Sequence, residues 1–367
     1  MESLASAVRS AQVTVPCKNL QATMDFFIKR LGFRLDAIFP ADSPATAVLS
    51  GHGVTLRLER NSGARVPSLR LLCDFSRLPA GAERELKAPD GMRIELVEAR
   101  PRVEGPAGQQ KFVINRPSGP RAWGAGRATM QYRDLIPGRL GGRFVASHIR
   151  IPGGGAVPDY VHYHRIRLQM IFCKAGWVKV VYEDQGRPFV LRAGDCVLQP
   201  PEIRHRVLEA SKGLEVVEVG CPAMHETFAD HDLALPNGRV KPGREFDGQR
   251  FVCHQAKTAK WRPWKIAGYE VRDTGIAAAT RGLADVQVIR SSGTHSGSLR
   301  HDGELFFIFV LRGKLSLRSP RFGSHELGED ASCVIPARVH FELAARDELE
   351  MLAVALPADG LQVTRRR

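Results

Sequence analysis

The chain is short of acidic residues, thin in cysteine and without a long apolar run. Its 367 residues hold 39 Asp or Glu against 53 Lys or Arg, a formal charge of +14. Such a balance raises the question of nucleic acid. The excess is arginine spread along the chain, with one short run at Arg365-Arg366-Arg367. There is no basic helix, no alternation of aromatic and basic residues and no helix-turn-helix signal, so no specific nucleic-acid partner is expected. The charge suits small anionic ligands instead. The seven cysteines, Cys17, Cys73, Cys173, Cys196, Cys221, Cys253 and Cys333, form no C-x-x-C pair. That pattern fits reduced thiols and predicts a cytoplasmic location. The longest apolar runs, such as Leu305–Leu311, are strand-sized, so no membrane span is expected. Met1–Ser10 lacks the apolar stretch of a secretory signal. A Gly-rich phosphate loop and a Ser-His-Asp arrangement are also missing.

Against that background three histidines and one amide stand out. His162 and His164 are two apart, so on a strand both project from one face. On an unbroken strand Gln169 would point to the opposite face. The chain must therefore turn or bulge between Arg165 and Leu168. Ile171 and Cys173 share the Gln169 face, and Gly176 closes that strand. Gly194-Asp195 signals a turn, Cys196–Leu198 is a short apolar strand, and Pro200-Pro201 ends it. His205 opens the next strand. Neutral imidazoles suit Zn, Cu, Fe and Ni, and a Gln carbonyl is a neutral oxygen donor. Four neutral ligands leave the full dipositive charge on a cation and favour an anionic oxygen in its open positions.

With Gly176, Gly194 and Pro200 in register, these segments resemble the two motifs of the cupin superfamily, small jelly-roll barrels. The resemblance implies His162, His164, Gln169 and His205 as ligands of one divalent transition metal, Fe favoured over Zn, Ni, Mn or Cu. The family's usual third ligand is Glu, and some members carry Gln. Tyr160, Cys173 and Arg204 are the candidate pocket residues; no catalytic side chain is assigned beyond the metal. A weak internal repeat pairs Gln169–Gly176 with Phe306–Gly313 and Pro200 with Pro336. Residues 128–235 then read as a first barrel and 236–367 as a second, degenerate one. In the second, Leu299 replaces His162, His301 matches His164 and Phe306 replaces Gln169. His340 follows Pro336, and structural support without metal is expected.

Residues 1–100 read as an α+β module. Strands are expected at Gln12–Cys17, Arg34–Phe39, Ala45–Leu49 and Val54–Leu58, with a helix from Asn19 to Gly32. A second round places a strand at Ser68–Cys73, a helix around Pro79–Leu86 and a strand at Met92–Glu98. Phe26-Phe27 with Leu31-Gly32-Phe33, and Pro89-Asp90-Gly91 before Ile94-Glu95-Leu96, resemble the vicinal oxygen chelate superfamily and its βαβββ units. That family's metal site carries over poorly, since Gln12, Arg57 and Ser68 accompany Glu95. The module is read as metal-free, for packing, dimerisation or ligand shaping, with a homodimer as the assembly considered. Residues 101–127, rich in Pro and Gly, read as a linker.

The expected fold is thus mainly β, with an α+β N-terminal module before two tandem jelly-roll barrels. The expected function is metal-dependent chemistry on a small oxygen-bearing organic acid or dicarbonyl. A dioxygenase-like oxidoreductase is favoured. A redox-neutral isomerase, cyclase or lyase is the alternative enzyme, and a small-molecule binding or sensor protein is the reading without turnover.

Overall fold

The computed structural model describes residues 6–60, 68–87, 93–117, 119 and 122–364. Pro89-Asp90-Gly91 and Arg365-Arg366-Arg367 lie outside them. The chain forms two compact units, 1–104 with 225–230, and 105–224 with 231–367. Among the described residues no helix is long and apolar enough to cross a membrane. All seven cysteines are free thiols.

In the first unit the order is strand Val8–Cys17, helix Leu20–Asp25, a wider helical turn Phe26–Arg30, then strands Arg34–Phe39, Thr46–Gly51 and Val54–Arg60. The Asn19 side chain caps the helix by accepting from the Ala22 N–H. Gly32, at φ +73°, supplies the left-handed exit. Val8–Cys17 pairs parallel with Val54–Arg60 and antiparallel with Ser68–Cys73. Leu20, Met24, Phe33, Ile38, Leu49 and Leu58 fill the core against the sheet. The second round differs from expectation. No helix covers 79–86; a short turn spans Phe75–Arg77, and Glu85–Lys87 is a strand on Arg93–Glu98. Pro79 and Gly81 break the helical winding. The chain is 51 % strand and 8 % helix, so mainly β replaces the α+β description of this module. Glu95 is ion-paired with Arg70 at 3.2 Å, and Arg57 with Glu59 at 2.6 Å.

The second unit is two barrels built on one core. In the first barrel one sheet runs Phe189–Arg192, Trp177–Tyr182, His205–Ala210, His162–His164. The opposing sheet includes Cys196–Leu198, Leu168–Ala175, Leu214–Cys221, Val145–Ile151 and Gln131–Asp134. Val178, Val180 and Tyr182 of one sheet pack on Cys173, Val197 and Val216 of the other. The second barrel is organised by two long strands, Leu305–Ser319 and Phe341–Leu356, which pair along most of their length.

The repeat in sequence corresponds to a repeat in space. Leu168, Met170 and Phe172 face the same core as Leu305, Phe307 and Phe309, between the barrels. Phe306, Ile308 and Val310 face the second barrel's own interior. Both segments are largely buried on both faces, hence the apolar runs Met170–Cys173 and Leu305–Leu311. The barrels also exchange strands. Val252–His254 pairs with Cys196–Leu198 in the first barrel's sheet. Val113–Asn115 pairs with Ser332–Val334 in the second. Residues 101–127, expected as a linker, therefore carry sheet. Phe112, Val113 and Ile114 are an apolar trio amid Pro and Gly, and Phe112 stacks on Phe322 at 4.6 Å. Glu304 of the second barrel accepts from Arg143 and from both terminal nitrogens of Arg167 at 3.0 Å.

Candidate metal centre

The site forms where two short strands meet. His162 lies directly opposite His205 across an antiparallel pair. His164 follows on the same face, two residues along. The strand ends there, and a new one begins at Leu168, so the break between Arg165 and Leu168 turns the chain into the opposing sheet. At the far end of that strand Gly176 has φ +72°, and a Cβ there would lie 2.4 Å from Ser211 Oγ. One ring nitrogen from each of His162, His164 and His205 lies within 4.8 Å of the others. All three residues are buried, with Gln169.

Two of the imidazoles are fixed in tautomer. A carbonyl can only accept, so Nδ1–H of His162 donates to Tyr160 O at 2.8 Å. Nδ1–H of His205 likewise donates to Ile203 O at 3.0 Å. Both Nε2 atoms therefore carry the lone pairs these rings can offer, the tautomer that outer-sphere hydrogen bonds give metal ligands. Burial pushes the His205 pKa down to about 4, and burial with the nearby Arg127 charge holds His162 well below its usual value. Both rings are neutral at pH 7. Tyr182 stacks on His205 at 5.5 Å and leans on Phe189 and Phe251, closing one side with aromatic surface.

Three residues not singled out by sequence complete the environment. Glu218 accepts from Gln169 Nε2 at 2.5 Å, which leaves the amide oxygen free for another partner. Gln199 Nε2 donates to His205 Nε2 at 2.8 Å, while Gln199 Oε1 is buried without a hydrogen-bond partner. Arg127 Nη2 donates to His162 Nε2 at 2.5 Å. A cation taking the Nε2 lone pairs would displace two donors and offer the orphaned Gln199 oxygen a partner. The donor set, imidazole nitrogen with amide oxygen, fits a divalent transition metal. The sequence does hold a signal for Glu218, one of two carboxylates, with Glu215, in the mostly apolar Leu214–Cys221 strand. Gln199 carries one too, as a polar residue just past an apolar strand. Arg127 has none, being one arginine among many.

Of the three expected pocket residues, only Tyr160 is at the cluster, its ring 5.8 Å from that of His162. Cys173 is not. It lies four residues along the strand from Gln169, about 13 Å at strand rise. Its thiol faces the carbonyls of Ala175, Gly176 and Leu191. Burial pushes its pKa up to about 12, an inert thiol. Arg204 precedes His205 and so points the other way; its guanidinium covers the Tyr163 ring at 4.0 Å. The inference of an undiminished metal charge also changes, because Glu218 stands one hydrogen bond behind Gln169.

That contact makes Gln169→Glu informative. The substitution removes the amide donor and sets two carboxylates face to face, where one must protonate. The metal-free variant is expected to lose about 1–3 kcal/mol. Thermal melts with and without added metal check this. Equal melting temperatures for wild type and variant in the metal-free state would refute it.

In the second barrel the corresponding positions do not converge. His301 Nε2 faces Ile335 O at 2.6 Å and its Nδ1 accepts from the Gly303 N–H at 3.2 Å. His340 is exposed, and Leu299 and Phe306 are buried among apolar side chains.

No protein-family model matches this sequence, and no curated protein matches it. Solved structures do share its fold. Salicylate 1,2-dioxygenase from Pseudaminobacter salicylatoxidans is 13 % identical, with a TM-score of 0.53 over 71 % of this chain and 90 % of that one. A variant of Bacillus subtilis oxalate decarboxylase is 10 % identical, with a TM-score of 0.51 over 72 % and 82 %. At these identities the likeness shows the fold alone.

Proposed function

We propose that this chain is a metal-dependent enzyme whose first barrel holds one divalent transition metal, iron favoured, through His162, His164, His205 and the Gln169 amide oxygen. The observation that carries the reading is the pair of backbone-locked tautomers, which leave the Nε2 lone pairs as what His162 and His205 can offer within a buried three-imidazole cluster. Locking two buried rings this way serves a ligand better than it serves packing. A bound metal supplies Lewis-acid polarisation of a substrate oxygen and, if iron, access to dioxygen.

The surrounding residues support a small oxygen-bearing organic acid or dicarbonyl as the substrate class, with dioxygenase-like oxidation favoured. Arg127 places positive charge inside the site, which suits a carboxylate or enolate. Tyr182, Phe189 and Phe251 form an apolar wall that excludes water and suits a planar carbon frame. Both solved structures named above belong to enzymes of small organic acids, which supports this class. The strand–helix–three-strand order of the N-terminal unit supports the vicinal-oxygen-chelate resemblance and a ligand-shaping or packing role.

Oxygen uptake by anaerobically purified, Fe(II)-loaded protein tests the reading, using a panel of 1,3-dicarbonyls, catechols and 2-oxo acids. Uptake with at least one class is the expected result. Turnover without oxygen and with zinc would replace it by isomerase or lyase chemistry. No turnover with any metal, together with a retained metabolite bound at micromolar or tighter affinity (roughly −8 kcal/mol), would identify a binding protein.

A further inference from the structure

The metal ligands leave unexplained the cation beside them. The Arg127 side chain is only 11 % exposed. Its Nη1 donates to Asp159 Oδ1 at 2.6 Å and its Nη2 to His162 Nε2 at 2.5 Å. Asp159 is fully buried and spends its other oxygen on the Val207 N–H at 2.9 Å, so it pins the guanidinium in place. The buried Asp159 carboxylate balances the guanidinium charge, which an arginine does not give up. The backbone accepts strain to deliver it. Ala128 and Thr129, the next two residues, have φ of +51° and +63°. A β-branched residue rarely adopts that region.

A guanidinium cannot deprotonate to make way for a second cation. If a metal takes His162 Nε2, Arg127 loses the acceptor for Nη2 and two positive charges become neighbours. Both penalties vanish when an oxyanion lies between them, accepting from Nη2 and balancing the added charge. We propose that Arg127 couples metal binding to anion binding. Without an anion it occupies the His162 lone pair and opposes the metal; a small carboxylate or comparable oxyanion takes over as its acceptor and admits the metal. The inference rests on the metal reading above and gives Arg127 a positioning role in it. Coupling of this kind is reciprocal, so each ligand raises the other's affinity by the same factor.

Co(II) titrations of the full chain, followed by visible absorption, test this with benzoate and with formate as the anion probes. In the wild type, one of the two anions is expected to raise Co(II) affinity at least tenfold. The double variant Arg127→Gln/Asp159→Asn removes both partners of the buried pair together. It is expected to bind Co(II) at least tenfold more tightly than wild type without anion, and to gain less than twofold from either anion. Arg127→Gln alone should move in the same direction, and circular dichroism melts establish that each variant is folded. Co(II) binding by the variants but not by anion-free wild type supports the coupling in its strongest form. Equal anion-free affinities, or equal anion enhancement in wild type and variants, would overturn the role of Arg127 and leave the metal site standing. Failure of every protein to bind Co(II), with or without anion, would overturn the metal reading and this inference together.

Discussion

Replacing His162 or His205 by alanine lowers metal affinity by roughly a hundredfold or more, because loss of an outer-sphere partner alone costs 10–100-fold and these residues would be direct ligands. Elemental analysis after dialysis reads the result as a fall from about one metal per chain to almost none, set by the one converging imidazole cluster. The expected stoichiometry is one because His301 has both ring nitrogens committed to backbone, His340 faces solvent, and the other cluster of ligand-type side chains, His148, Glu215 and Asp330, is already held by Arg133 and Lys174. Two metals per chain in the wild type, or full occupancy in both alanine variants, would refute the assignment. His162→Ala also strands the Tyr160 carbonyl and the Arg127 Nη2, so its folded state needs a separate melt. His205→Ala leaves Arg127 undisturbed but strands the Ile203 carbonyl and the Gln199 amide, so it needs the same melt.

The second large effect concerns stability. Phe307 is fully buried in the core between the barrels, among Phe172, Val219, Val286 and Val354. Phe307→Ala is expected to cost about 3–5 kcal/mol, the usual range for a large-to-small change at a close-packed site. That core is continuous, and each barrel borrows a strand from sequence assigned to the other region or to the linker. The two barrels should therefore melt in one transition, and Phe307→Ala should shift all of it. A scanning-calorimetry trace in which the variant loses one barrel early and keeps the other at its wild-type temperature would show them to be independent.

What was legible in the sequence was local. The His162/His164 pair, the forced break before Leu168 and the strand ends at Gly176 and Pro200 follow from side-chain parity and turn chemistry, which act over a few residues. The same holds for the Asn19 cap and the Gly32 exit. The error at Pro79–Leu86 was also local. Pro79 and Gly81 oppose a helix there, and an edge strand such as Glu85–Lys87 can accept alternating charge. Parity likewise places Arg204 outside, since it adjoins His205, whereas Cys173 shared the right face and lay too far along the strand.

By itself the sequence determined that three imidazoles and an amide lie on inward-facing positions of β-strands, and that the chain repeats a β-barrel with the second ligand set decayed. Those are matters of period-two alternation and of residue type. Only the tertiary structure decided what surrounds the imidazoles. Glu218 reaches Gln169 across 49 residues, and Arg127 reaches His162 across 35. Neither spacing carries information, because contacts between sheets are set by how the barrel closes and not by any local period. The same closure put Phe307 into a core common to both barrels and turned a Pro- and Gly-rich linker into sheet. An apolar trio such as Phe112–Ile114 gains more from pairing with an open strand edge than from staying in water.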